Sequence, residues 1–344
     1  MNPSATTSAN SPVNPSAATS TSLSARELLA AGLVAQPDAV AEVREEVRDP
    51  RSGPGSRALR VTTLGGVSVE VLPDRGLDLG SLWFNSIPVS WRSALGPRGG
   101  AVDPADEGWI GRFGGGLLVT SGVDHIGPPE QGHGLHGTHH LTPASDVAVR
   151  RLDDGSVEVS GAVDSSVVFG RHVLVERKIT VGVDRPRVEV RDTIRNTGPV
   201  PAAVPILYHS NLGAPLVLPG TRVEVPGSTR TPRTPEAERL GWQAFPEPTD
   251  EVIEGVWEHT GFAPGAVQAV VTAPEDAVRL TMSWDGAELP RCMQWVHPTR
   301  GGWVLGVEPA SAPLFGPDRS GEHLGAPVLE PGQERASGVV YELS

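Results

Sequence analysis

Val67, Val69 and Val71 alternate with polar or small residues, as do Val278, Leu280, Met282 and Trp284, and then Val339, Tyr341 and Leu343. Period two sends every second side chain to one face, so these runs predict half-buried strands. Val173 to Val183 and Val188 to Ile194 flank Asp184-Arg185-Pro186 and predict an antiparallel pair. Val147/Val149 and Val157/Val159 flank Asp154-Gly155, a pair that favours a two-residue type I′ hairpin. Strand signals recur with no long helical period between them. The chain is expected to be all-β, a large antiparallel β-sandwich.

Only the N-terminal part reads differently. Residues 1–24 are rich in Ser, Thr, Ala, Asn and Pro and offer too little apolar surface to offset the entropy of ordering, which predicts a disordered tail. Ser24 and Glu27 have capping-box spacing, so a short helix should start at Ala25. A second helical stretch is expected over 38–48. These readings divide the chain into a tail (1–24), a helical segment (25–54) and one sandwich domain (55–344) without internal repeats. The proline-rich stretch 226–252 is expected to be a surface excursion.

Composition removes several classes of function. With 28 Lys+Arg against 41 Asp+Glu the net charge is −13, a poor match to a phosphate backbone, so no nucleic-acid partner is expected. Lys178 is the single lysine and lies in a strand-like run, which disfavours Schiff-base chemistry and P-loop phosphate binding. Cys292 is the single cysteine, excluding an intramolecular disulfide and a cysteine-clustered zinc site. The first residues lack the basic start and apolar stretch of a secretory signal, and no apolar run approaches a membrane span, so a cytoplasmic protein with no membrane partner is expected. The 41 glycines and 33 prolines fit many turns between short strands.

Gly114-Gly115-Gly116 precedes a strand-like run rather than opening a helix, so close backbone packing explains it better than a nucleotide loop. His125, His133, His136, His139 and His140 crowd one Gly/Pro-rich stretch without the spacing of a tight metal motif. Asp124, His125 and His136 are the members expected in a cleft, because flanking glycines let a ligand approach the backbone. Tyr208-His209-Ser210-Asn211 follows the apolar Val204-Pro205-Ile206-Leu207. In an extended strand Trp303, Leu305 and Val307 share one face, and Glu308 falls on the other with Val304 and Gly306. A carboxylate there needs a partner or a function.

These residues resemble the aldose 1-epimerase (galactose mutarotase-like) superfamily, in its less characterised bacterial branch. The resemblance is carried, in family order over roughly residues 55–344, by Val71 to Gly80, Gly115 to His125, Leu135-His136-Gly137, His209-Ser210-Asn211-Leu212, Leu305-Gly306-Val307-Glu308-Pro309 and Leu329-Glu330-Pro331-Gly332. It implies a β-sandwich with a sugar-binding cleft on one face. It further implies that Glu308 is the general base and His209 the general acid of sugar ring opening, with His136 and Asn211 at the sugar. Arg75 and Asp78 are candidates for the substrate contact that an arginine makes in the family.

Such a Glu/His pair needs no cofactor. Burial should raise the pKa of Glu308, and a carboxylate such as Asp124 should keep His209 protonated. The same acid and base also suit proton abstraction beside a carbonyl on a keto-sugar, giving epimerisation, isomerisation or elimination; there a divalent metal on His125 and His136 could stabilise an enediolate. A non-catalytic carbohydrate-binding module is a third reading. The expected partner is a small-molecule sugar.

Overall fold

The strands predicted from the period-two runs form two large antiparallel sheets in the computed structural model, which describes residues 23–48, 57–95 and 107–344. The larger sheet has eleven strands. Ten follow the order Ala41–Val47, Arg57–Thr63, Val67–Leu72, Asp78–Phe84, Leu118–Gly122, Ile206–Leu212, Val304–Ala310, Arg291–His297, Gly255–Thr260 and Thr229–Pro232, and Ile87–Pro88 pairs with Asp78–Phe84 off this path. The second sheet has eight: Arg222–Glu224, Ala266–Thr272, Arg279–Asp285, Glu334–Leu343, Arg187–Asn196, Val173–Val181, Val157–Asp164 and Ser145–Arg151.

Alternation decides what each strand buries. Leu280, Met282 and Trp284 from one strand and Val339, Tyr341 and Leu343 from its neighbour enter the same core. They meet Val69, Val71, Leu79, Leu118, Leu305 and Val307 from the larger sheet. Burying each such side chain is worth roughly 1.5–3 kcal/mol. The sandwich is therefore held face to face by its inward residues.

An ionic network lies in this interior. Arg177, fully buried, bonds Asp192 through Nε (2.8 Å) and Nη2 (2.7 Å) and Asp78 through Nη1 (2.7 Å). Asp78 also accepts from the Thr120 amide and hydroxyl and pairs with His140 Nδ1 at 2.9 Å, while the Tyr208 hydroxyl donates to Asp192 at 2.8 Å. Each charge of this network thus has partners.

Local expectations meet mixed outcomes. Ser24 caps the Ala25–Ala30 helix through the expected reciprocal box with Glu27. The tail before it, residues 1–22, lies outside the described residues. Residues 38–48 are not helical: after a short 3₁₀ turn, Pro37–Ala39, the segment Ala41–Val47 is an edge strand paired with Arg57–Thr63. Its three glutamates favour a helix, but pairing and the Glu46–Arg60 ion pair override that preference.

The hairpin at Asp154-Gly155 forms between Ser145–Arg151 and Val157–Asp164. Only Gly155 of that pair has positive φ (89°), and the Gly155 amide bonds the Leu152 carbonyl. A type I′ turn needs positive φ at both central residues, so this is a longer loop closed by one left-handed glycine. In the 226–252 excursion, Thr229–Pro232 adds an edge strand to the larger sheet and Ala237–Leu240 a helical turn. Gly115 and Gly116 pack as expected: a Cβ on either would meet the Trp91 or Leu79 carbonyl at 2.6 Å.

Candidate active site

The Ile206–Leu212 strand is buried along its whole length and splits its polar residues between two faces. Tyr208 and Ser210 point inward, to Asp192 and to the Tyr341 hydroxyl. His209 and Asn211 take the opposite face. The neighbouring strand pairs Leu207 with Ala310 and Ser210 with Val307, a register that sets His209 opposite Glu308. His209 Nε2 lies 3.3 Å from Glu308 Oε1. Leu305 and Val307 enter the core, so Glu308 has the phase read from the sequence. Gly306 makes room for it, since a Cβ there would collide with Glu308 Oε1.

Above this pair is a cavity of about 450 Å³ lined by Trp109, Ile110, Phe113, Leu135, His136, His209, Thr234, Glu254, Val256, Trp295, Glu308, Leu314 and Phe315, with the loop residues Gly127 and Pro128. The His209 ring is enclosed by aromatic groups: Phe113 at 5.5 Å, His136 at 5.5 Å, Trp295 at 5.6 Å and Trp109 at 6.2 Å between centroids. Trp109 stacks on Phe113 at 4.4 Å. Trp295 Nε1 donates to Glu254 Oε2 at 2.9 Å, which fixes a second carboxylate at the cleft. An apolar cleft with a few convergent polar groups is the usual form of a small-molecule site.

Burial moves both members of the pair away from their charged forms. The His209 pKa is lowered to about 4, because the ring loses water, a loss that nearby Asn211 only partly offsets. The Glu308 carboxyl is pushed well above its ordinary range by the same loss of water and then by the charge of Glu254. The expected rise at Glu308 is present. The expected protonation of His209 by Asp124 is not: Asp124 accepts from the Thr138 amide and hydroxyl, with Arg171 beside it. Burial thus biases the pair toward a protonated carboxyl facing a neutral imidazole.

Of the residues proposed from sequence, His136, His209 and Glu308 meet at the cleft. Asn211 lies beneath it, fully buried, donating to the Gly116 and His209 carbonyls and so bracing the His209 backbone. Asp78 lies apart, in the interior network, where burial alone would raise its pKa but His140 and Arg177 outweigh it and hold the carboxyl low. Arg75 sits in the turn before Asp78, buried, with Nη2 unpaired, and does not line the cleft.

Asp124 and His125 line a different cavity, of about 200 Å³, with Arg171, Arg319 and His133. His125 Nε2 is 2.7 Å from the Pro128 carbonyl, and its ring stacks on His133 at 5.2 Å. His125 and His136 thus do not converge, and among the described residues no three His, Cys, Asp or Glu side chains gather as a metal-holding group. Among the described residues, too, no helix is long and apolar enough to cross a membrane.

The sequence reading missed Trp109, Phe113, Trp295, Glu254 and Thr234. Trp109 and Phe113 sit in and just after the 3₁₀ segment Glu107–Arg112, which has no periodicity to mark it. Trp295 reaches the site through strand register, directly opposite Gly306, which the sequence alone does not set.

Solved structures share this architecture. A candidate aldose 1-epimerase from Klebsiella pneumoniae superposes with a TM-score of 0.77 at 22% identity, over 88% of this chain and 83% of that one. A galactose mutarotase-like protein from Clostridium acetobutylicum gives 0.59 at 13% identity, over 88% and 98%. An aldose epimerase homologue from C. elegans gives 0.53 at 13%, over 82% and 96%. These likenesses establish the mutarotase-like fold. No curated protein matches the chain in sequence. The profile of one family matches residues 53–343, nearly the whole of the two sheets, and the chain accordingly belongs to the family described as Domain of unknown function (DUF4432).

Proposed function

We propose that this protein is an aldose 1-epimerase-like isomerase that opens and recloses a sugar hemiacetal by acid–base catalysis between Glu308 and His209. The observation that carries this reading is the 3.3 Å contact between His209 Nε2 and Glu308 Oε1 on the floor of an aromatic cleft. Ring opening needs one proton delivered to the ring oxygen and one removed from the anomeric hydroxyl. A pair sharing one proton supplies both.

In the resting state that proton is on Glu308, so the carboxyl can protonate the ring oxygen while neutral His209 takes the hydroxyl proton. With the proton on His209 instead, the roles reverse and give Glu308 as base and His209 as acid, the assignment that the family resemblance implies. The proton count is the same either way, which suits a reaction that must run in both directions. Each transfer is worth roughly 10²–10⁴-fold. Trp109, Phe113 and Trp295 offer ring faces for the C–H side of a pyranose, and His136 offers a hydrogen-bonding edge. None of these steps calls for a cofactor.

The test is exchange-transfer NMR of freshly dissolved aldoses with wild-type protein, Glu308→Gln and His209→Asn. Wild-type acceleration, with a loss of roughly 10²-fold or more in kcat for each variant and retained sugar binding, is the expected result. Wild-type protein that leaves anomer exchange unchanged but exchanges a carbon-bound proton of a keto-sugar with deuterium would replace mutarotation by the enediolate chemistry.

A further inference from the structure

The outward face of the larger sheet carries a further cavity, of about 480 Å³, which shares no lining residue with the cleft. Val69 and Leu82 enter the core, so Ser68 and Trp83 point outward, as His209 and Glu308 do. Thr62 pairs with Ser68 and Ser68 with Trp83, which sets these side chains in one row across neighbouring strands. The Thr62 and Ser68 hydroxyls lie 3.1 Å apart. Trp83 is 42% exposed, and its ring walls the cavity.

The polar groups around that ring are held in place. Arg60 donates through Nε and Nη2 to Glu46, at 2.9 Å each, and through Nη2 to Glu70 at 2.8 Å, which fixes the guanidinium and leaves Nη1 over. Asn85 and Ser86 have positive φ (47° and 69°) between the paired Phe84 and Ile87, which makes a type I′ turn. The Asn85 backbone N–H donates to the Gly66 carbonyl at 2.9 Å, and a Cβ at Gly66 would collide with Asn85 Oδ1. The absent side chain at Gly66 thus seats the Asn85 carboxamide at the cavity.

An aromatic face ringed by hydroxyl, carboxamide and guanidinium groups is complementary to a pyranose, whose C–H face packs on an indole while each hydroxyl both donates and accepts. The charge of Arg60 is answered by Glu46 and Glu70, so the cavity offers no surplus cation to a phosphate or to a nucleic-acid backbone. We infer that this cavity is a second carbohydrate site, for a neutral pyranose stacked on Trp83 with its hydroxyls on Thr62, Ser68, Asn85 and Arg60 Nη1. The site stands independently of the ring-opening reading, because none of its residues lies at His209 or Glu308.

The experiment follows the indole N–H signal of Trp83 in a proton–nitrogen NMR spectrum of the full chain, identified by its absence in Trp83→Phe. The probes are methyl β-D-galactopyranoside, methyl β-D-glucopyranoside and methyl α-D-mannopyranoside, which cannot ring-open, so binding is read without turnover. The expected result is a saturable shift with at least one glycoside that persists in Trp109→Ala, where the cleft has lost a wall. Thr62→Val keeps the strand and removes one hydroxyl, and it should weaken this binding by roughly fivefold. No saturable shift with any of the three up to roughly 100 mM overturns the site. A shift that vanishes in Trp109→Ala would belong to the cleft, and one that follows protein concentration instead of glycoside would assign Trp83 to a second copy of the chain; either result also overturns the site.

Discussion

Gly306 and Glu308 project from the same face of one strand, and the carboxyl group of Glu308 occupies the space that a side chain at Gly306 would fill. The same Cβ would come within 2.9 Å of Trp295 Cβ, so there is no free direction of escape. Gly306→Ala should therefore push Glu308 away from His209 and lower kcat by roughly 10²-fold, as loss of one proton transfer would. The fold should survive, since only the cleft-side face is disturbed. Full activity in a folded Gly306→Ala protein, verified by circular dichroism, would separate Glu308 from the chemistry.

The opposite shifts of His209 and Glu308 set a pH profile. Below about pH 4 both groups are protonated and the pair lacks a base. Above the raised pKa of Glu308 both have lost their protons and the pair lacks an acid. Between these limits one proton is present, so kcat/KM should rise through about pH 4, stay level, and fall only well above the ordinary carboxyl range. Because Glu254 contributes to the upward shift, Glu254→Gln should move the alkaline limb to lower pH. An acid limb centred near 6.5 would show a solvated histidine and contradict the arrangement.

Much of the sandwich and the core of the site were legible in the chain because both depend on period two. Leu280, Met282 and Trp284 announce their face directly, and the same phase argument puts Glu308 opposite Leu305 and Val307. What period two cannot show is which neighbour receives a polar side chain. Asp78 and Asp124 look alike in sequence, acids in glycine-flanked segments, yet Asp78 ends at Arg177, ninety-nine positions away, and Asp124 at Thr138. Ala41–Val47 has helix-forming composition and becomes a strand through its partner. The aromatic walls come from a 3₁₀ segment and a distant strand, joined only by the tertiary fold.

Arg177 should be critical for stability. Its guanidinium bridges Asp78 and Asp192 in the interior, and its removal leaves two buried carboxylates with only Thr120, His140 and Tyr208 to answer them. Breaking a buried pair in this way costs about 3–5 kcal/mol. Arg177→Met should therefore lower the unfolding midpoint in denaturant strongly, and the loss should shrink at low pH, where the freed carboxyls can take protons. A midpoint unchanged at pH 7 would mean that the network is not formed in solution.

Glu308 itself should cost stability at the pH where it works. Its carboxyl is held neutral in the folded protein but ionises freely in the unfolded chain above about pH 4.3. The unfolded state then binds fewer protons than the folded one, so stability falls as pH rises from about 4.3 to the raised pKa of the folded group. His209 acts in the other direction. Its folded pKa of about 4 lies below the ordinary value, so stability falls as pH drops from 6.5 toward 4. Glu308→Gln keeps the shape and stays neutral at every pH, and it should melt at or above the wild-type temperature, with the gap widening as pH rises above the ordinary carboxyl range toward the raised pKa of Glu308. Each 1 kcal/mol recovered would raise Tm by about 2 °C in a chain of this size. The variant should at the same time be the least active. A Glu308→Gln protein that melts below wild type at pH 8 would mean that the ionised carboxylate is stabilised where it sits, and that the proton placed on Glu308 belongs elsewhere.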